Sequence, residues 1–217
     1  RAKQEGRGRY TFFTRELQQE IERNKRISDD IVHGLEKGEF FPVYQPQFDA
    51  KTLRLIGVEA LARWKHPVLG VLAPPAFLDA AKQLGATDRI DQAILEASLA
   101  DMREWERKNA PVPRLAVNVS AQRIANPYLI NLLKKLDIPA GKLAFELHES
   151  TMLDHTNADL RERIQEITDL GIDIEIDNFG TGQSSFLGMW SAAPAPLSTR
   201  RLAWRRVGQG CCWSTGP

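Results

Sequence analysis

The chain has 217 residues, of which 42% are hydrophobic and 26% are charged, and its formal net charge is +1. This composition is typical of a globular protein of one or two domains, and the small net charge gives no overall electrostatic case for binding nucleic acid or a membrane surface. No apolar run approaches the roughly 18 residues that a membrane-spanning helix needs. No signal sequence is recognisable either, so we expect a cytoplasmic protein.

The predicted elements alternate between helices and strands along the chain. Helices are predicted over five segments, about 13–37, 76–83, 88–108, 127–136 and 157–170. Strands are predicted over five apolar segments, 41–48, 55–64, 115–120, 143–149 and 172–178. A turn-rich loop covers 66–75, and Gly171 is expected to cap the last helix. This alternation predicts an α/β fold with a parallel sheet.

Polar residues close several of these apolar strands. Glu59 lies in the apolar run Leu55–Trp64, where desolvating a lone carboxylate costs several kcal/mol unless it is paired or bound to metal. The same pattern recurs at Asn118, Glu146 and Asp177. No glycine-rich loop follows the first strand, which argues against a dinucleotide-binding fold. A (β/α)₈ barrel fits better, because its active site gathers residues from the carboxyl ends of several strands.

Each of these positions also has a simpler interpretation. Glu59 could be the buried ion-pair partner of Arg63. Asn118-Val119-Ser120 is formally a glycosylation sequon, although it lies in an apolar strand. His148 could be an ordinary core or loop histidine, and Gly180-Thr181-Gly182 an ordinary flexible loop. Four concordant strand ends together favour a metal site.

Several motifs, in order between about residues 40 and 189, resemble the EAL domain family. They are Tyr44-Gln45-Pro46, Glu59-Ala60-Leu61-Ala62-Arg63-Trp64, His66-Pro67, Pro74-Pro75 with Phe77, Asn118-Val119-Ser120, Glu146-Leu147-His148-Glu149-Ser150 and Asp177-Asn178-Phe179-Gly180-Thr181-Gly182. That family hydrolyses the bacterial second messenger cyclic di-GMP to linear pGpG with divalent metals. Residues 1–10 resemble the end of a GGDEF diguanylate cyclase domain. The expected organisation is therefore a GGDEF-like end (1–13), a helical linker (14–38), an EAL domain (39–189) and a tail (190–217).

The resemblance implies a role for each motif residue. Metal binding falls to Glu59, Asn118, Glu146, Asp177 and Asn178, whose hard oxygen ligands suit Mg²⁺ or Mn²⁺. Contacts to cyclic di-GMP fall to Gln45, Leu61 and Arg63, and Glu149 corresponds to the anchor of the loop after Asp177. No nucleic-acid or membrane partner is implied, and a homodimer of the full-length parent stays open.

The chain departs from the family pattern at the residues that matter for catalysis. Asn178 stands where the family has a second aspartate, and an amide offers one uncharged oxygen and is a poorer metal ligand. The family's catalytic lysine, a later glutamate and a glutamine should lie beyond Met189. The sequence has no lysine after Lys142 and no acidic residue after Asp177, so we assign no catalytic residue. Gln183 also replaces a usual tyrosine.

Residues 190–217 differ in composition from the rest. They contain both cysteines, three of the five tryptophans and four arginines, but no Asp, Glu or Lys. A basic aromatic arm for nucleic acid is one interpretation. We favour an out-of-frame, non-native tail, which predicts an incomplete barrel and no regular pairing of the tail with the Asp177 strand. The expected function is then a phosphodiesterase by descent, impaired in this form. The alternatives are a non-catalytic cyclic di-GMP-binding or protein-interaction module, and a product without function.

Overall fold

A computed structural model of the chain describes residues 15–136, 138–148, 158–177 and 202–204. Its side chains are described over 26–136, 138–147 and 160–175. The helices are α1 Arg15–Glu36, α2 Leu78–Gln83, α3 Thr87–Arg107, α4 Ala121–Ala125, α5 Pro127–Leu136 and α6 Ala158–Asp169, with a 3₁₀ turn at Pro74–Ala76. The strands are β1 Phe40–Phe48, β2 Leu55–His66, β3 Gly70–Leu72, β4 Leu115–Asn118, β5 Leu143–His148, β6 Asp173–Asp177 and β7 Leu202–Trp204.

The strands form one sheet in the order β1-β2-β4-β5-β6-β7, with β3 paired to the end of β2. From β2 to β7 the neighbouring strands run parallel, whereas β1 and β3 are antiparallel to β2. Helices lie between β2 and β4, between β4 and β5 and between β5 and β6, because a parallel pair needs a long crossover. The predicted α/β fold with parallel strands is confirmed. Within the described residues the sheet is not closed, and β1 and β7 form its edges.

Strand alternation gives the sheet one apolar and one polar face. On the apolar face, Val58, Ala60 and Trp64 of β2 join a single buried core with residues of the next strands: Leu115, Val117, Leu143, Phe145, Leu147 and Ile174. Ile90 and Ile94 of α3 pack in the same core. Helix α1 is also docked on this domain, since Ile27 and Ile31 are buried. The opposite face of the sheet is therefore the one that presents polar side chains.

Besides β7, two short elements were not predicted. The loop expected at 66–75 contains β3, which pairs with Trp64–His66 of a longer β2 than predicted. Helix α4 was missed between β4 and α5, and Ser120 caps it by accepting a hydrogen bond at Oγ from the Arg123 N–H at 3.2 Å. Elements of three to five residues carry too few positions for a periodic signal.

The predicted absence of pairing for the tail was wrong. Strand β7, inside residues 190–217, pairs in parallel with β6 through Ile174↔Leu202, Glu175↔Ala203 and Ile176↔Trp204. A strand edge offers a row of main-chain N–H and C=O groups, and main-chain pairing tolerates almost any sequence without proline. The lack of a two-residue period in the tail was therefore insufficient reason to exclude pairing.

No helix in the described ranges combines the length and the apolar character that crossing a bilayer requires.

Candidate metal centre

The sheet register brings the predicted ligand positions to one face. Glu59 pairs with Ala116, and Asn118 pairs with Glu146. Residues paired across a ladder share a face, as do residues two apart on one strand. Glu59, Asn118 and Glu146 therefore share the polar face of three consecutive parallel strands. The backbone position of Asp177 has the same parity, because Glu146 pairs with Glu175 two residues before it.

The described side chains at this face lie on adjacent strands and carry oxygen atoms that can bind a metal ion. The Asn118 amide Nδ2 donates to Glu59 Oε1 at 3.1 Å, which leaves the amide oxygen Oδ1 as the atom that can face a cation. Glu146 is 1% exposed on the neighbouring strand. Two carboxylates and an amide oxygen are the ligand chemistry that Mg²⁺ and Mn²⁺ prefer. The residues present therefore fit a divalent cation in kind.

Part of the predicted ligand set lies outside the described side chains. The side chain of Asp177 lies outside the described part of the structure, as do the whole residues Glu149 and Asn178. Within the described residues, no group of three or more His, Cys, Asp or Glu side chains is arranged to hold a metal ion. The contact of Glu59 with Asn118 is present in the structure, and the metal assignment as a whole stays a prediction.

The predicted substrate residues border the same face. Gln45 is the cross-strand partner of Glu59 and is exposed. Leu61 and Arg63 follow Glu59 at two-residue steps, so all three positions share a face. The Arg63 guanidinium donates through Nη1 to the Ala62 carbonyl at 2.7 Å. The backbone thus places Leu61 and Arg63 beyond Glu59 on the same face of β2 and Gln45 beside Glu59 on β1, while their contact with a ligand stays a prediction.

An ion cluster beneath the candidate site was missed from the sequence. Arg114, just before β4, contacts Glu175 (Nη1 to Oε1, 2.5 Å) and Asp173 (Nη2 to Oδ2, 3.4 Å), both on β6. It reaches them across β5 at Ala144, a buried residue whose small side chain leaves room for the guanidinium. Because Glu175 is the ladder partner of Glu146, Arg114 offsets a carboxylate next to a predicted ligand. The alternation Asp173-Ile174-Glu175 was the available sequence signal.

A second missed network lies on the helix side of β4. The Ser120 N–H donates to Asp91 Oδ2 at 2.8 Å, which links the β4–α4 turn to α3. Burial raises the pKa of the Asp91 carboxyl to about 6, against the opposing effects of its hydrogen bonds with Ser120 and of the nearby Arg123. Arg123 is 1% exposed, and its Nη1 donates to Gln92 Oε1 at 3.3 Å. Desolvation lowers the pKa of this guanidinium.

Comparison with known proteins assigns the family. The sequence pattern of the EAL domain matches residues 28–190, so the chain belongs to the EAL domain family. It is 35% identical over 157 residues to the protein named cyclic di-GMP phosphodiesterase PA2567 of Pseudomonas aeruginosa, a match that covers 70% of this chain and 26% of that protein. It is 38% identical over 164 residues to the uncharacterized protein Rv1357c of Mycobacterium tuberculosis, covering 73% of this chain and 53% of that one.

The fold agrees with a solved relative. The structure titled PaMucR phosphodiesterase, c-di-GMP complex, superposes with a TM-score of 0.66 at 33% identity, covering 76% of this chain and 68% of that chain. The chain thus spans about half or less of the length of the two curated relatives described above.

Proposed function

We propose that this chain carries the divalent-cation and cyclic di-GMP site of an EAL-type phosphodiesterase. The observation that supports the proposal most is the common face of Glu59, Asn118 and Glu146 on three adjacent parallel strands. The carboxyl ends of such strands are where TIM-type barrels gather their active-site residues. Relatives named or titled as cyclic di-GMP phosphodiesterases support the choice of substrate.

In this proposal each residue has a defined task. Glu59, Asn118 and Glu146 hold Mg²⁺ or Mn²⁺ with Asp177, and Asn178 stands at the second cation position. Bound divalent cations would neutralise phosphate oxygens and lower the pKa of a water nucleophile. Arg63 pairs with a substrate phosphate, while Leu61 and Gln45 line the ligand. Glu149 anchors the segment that follows Asp177.

We further propose that hydrolysis is severely impaired in this chain. The sequence offers no lysine after Lys142 and no acidic residue after Asp177, and Asn178 is a weaker ligand than aspartate.

The same features favour a second candidate function, a non-catalytic module that binds cyclic di-GMP or a protein partner. Binding to the nucleotide without turnover would support this second candidate.

The purified chain is expected to produce no measurable pGpG from cyclic di-GMP in Mg²⁺ or Mn²⁺. Losing one group that stabilises the transition state typically costs about 100-fold or more in rate, and losses within one catalytic unit do not simply multiply. The measurement is chromatography of the products, with Glu59→Ala as the matched control. Linear product that depends on metal and disappears in E59A would contradict the expected impairment.

The remaining assignments concern organisation. We propose that residues 1–13 end a GGDEF-like domain, that α1 links it to the EAL domain, and that the full-length parent is a cytoplasmic signalling protein that can form homodimers. We also propose that residues 190–217 are read out of frame, which is supported by their composition and by the end of the family match at residue 190.

The out-of-frame proposal has a direct test in the coding DNA. One of the other two frames after the Met189 codon is expected to encode further barrel-like strands, with a lysine on the next one. The absence of any such pattern in both frames would refute it.

A further inference from the structure

We propose that Asp91 is a positioning residue for the candidate cation site: from α3 it holds the end of β4 and thereby sets where Asn118 presents its amide. The inference uses the proposed function only in treating Asn118 as a cation ligand. Its geometric part concerns the free chain.

The turn after Asn118 is tied at both of its residues. Strand β4 ends at Asn118 and α4 begins at Ala121, so only Val119 and Ser120 connect them. The Val119 N–H donates to the Glu146 carbonyl at 3.0 Å, which continues the pairing with β5. The Ser120 N–H donates to Asp91 Oδ2 at 2.8 Å, and Ser120 Oγ caps α4. Asp91 is thus the side-chain contact through which α3 holds this turn.

The part of α3 that carries Asp91 is packed into the core. Its neighbour Ile90 and the next turn of α3, with Ile94 and Leu95, are buried in the core. The buried Arg123 lies close enough to favour the ionised carboxylate electrostatically. Hydrogen bonds to an ionised acceptor are roughly twice as strong as neutral ones. The Ser120 contact is therefore a firm link between α3 and β4.

The consequence appears across the sheet at Glu59. Asn118 meets Glu59 Oε1 at 3.1 Å, a contact between β2 and β4 that depends on where β4 ends. Ligand constellations tolerate displacements of only about 0.5 Å, so a relaxed β4–α4 turn would move Asn118 out of position. The Glu59–Asn118 contact should thus weaken when Asp91 can no longer accept from Ser120.

The test compares four forms of the full chain, first without metal and then in a titration with Mn²⁺: wild type, Asp91→Ala, Asp91→Asn and Asp49→Ala. Asparagine keeps an acceptor for the Ser120 N–H, whereas alanine removes it. Asp49 is a matched control, because it accepts from Thr52 N–H and Lys51 N–H in the β1–β2 turn, away from the site. The first readout is hydrogen exchange of the Asn118 side-chain amide by NMR. The second is Mn²⁺ affinity by calorimetry.

Exchange of the Asn118 side-chain amide is expected to rise about 10-fold in D91A. Mn²⁺ affinity is expected to fall about 10-fold, which is the loss typical when an outer contact to a metal ligand is removed. D91N should lose less than D91A in both readouts, because it keeps an uncharged and therefore weaker acceptor, and D49A should be unchanged. If D91A does not fold, Asp91→Leu removes the acceptor while keeping a branched side chain of similar shape.

Two results would overturn the proposal: wild-type amide exchange in D91A, or equal losses in D91A and D91N. A wild-type chain that binds no Mn²⁺ would refute the proposed function, while amide exchange would still decide the role of Asp91.

Discussion

Glu146→Gln is expected to weaken Mn²⁺ binding by about 100-fold, at or above the upper end of what outer contacts to metal ligands cost. Glu146 is 1% exposed and lies beside Asn118 on the adjacent strand, so its carboxylate supplies charge inside a poorly solvated site. Glutamine keeps the shape but offers one uncharged oxygen. Calorimetric titration of the full chain with Mn²⁺ measures the loss.

Glu175→Gln is the matched control for this variant. Glu175 is the ladder partner of Glu146 and shares its face, but its carboxylate is bound to Arg114. Its replacement is therefore expected to cost less than about 10-fold in Mn²⁺ affinity, within the range of an outer contact. A larger loss in E175Q than in E146Q would mean that the wrong carboxylate has been assigned as the ligand.

Thermal unfolding separates binding from folding in this comparison. Glutamine keeps the shape of the Glu146 side chain and can still hydrogen-bond, so E146Q should stay folded without metal, with an unfolding temperature close to that of the metal-free wild type. Loss of Mn²⁺ binding by a chain that remains folded is then attributable to the ligand. An E146Q chain that unfolds well below wild type without metal would assign Glu146 a structural role instead.

Trp64→Ala is expected to lower the free energy of unfolding by about 3–5 kcal/mol, the usual cost of emptying a large aromatic site in a core. Trp64 is 0% exposed. Its ring stacks on Phe40 at 5.0 Å between centroids and meets the edge of Phe77 at 5.9 Å, and its Nε1 donates to Glu39 Oε2 at 3.0 Å. The substitution therefore removes packing at the junction of β1, β2 and the segment before α2.

Urea denaturation of the chain measures this cost. Phe48→Ala is the matched control, because Phe48 is an aromatic residue of the same sheet that is 51% exposed, and it should cost less than about 1 kcal/mol. Similar losses in both variants would contradict the assignment of Trp64 to the core.

Two different sets of residues support the proposed cation binding and the proposed loss of hydrolysis. The cation positions on β2, β4 and β5 share one face in the structure, and the family match includes them all. The expected loss of hydrolysis depends instead on the composition after Asp177 and on Asn178, which are sequence facts. Binding and turnover are therefore separate experiments on this chain.

The sequence by itself determined the alternation of helices and strands and the placement of Glu59, Asn118 and Glu146 on otherwise apolar strands. Both follow from local periodicity, since a buried strand is a continuous apolar run and its side chains alternate with a period of two. The strand ends of a parallel sheet meet at one edge whatever the intervening helices contain. The motifs of the family supplied the chemistry of that edge.

Only the tertiary structure decided the contacts between residues distant in sequence. Arg114 reaches Glu175 over Ala144, and Asp91 holds Ser120, because sheet register and helix packing set which side chains meet. No local pattern encodes such a meeting, since it depends on the separation and relative height of whole elements. The pairing of β7 was also decided only by the tertiary structure. The edge of β6 pairs with Leu202–Trp204 through main-chain hydrogen bonds, which require no particular side chains.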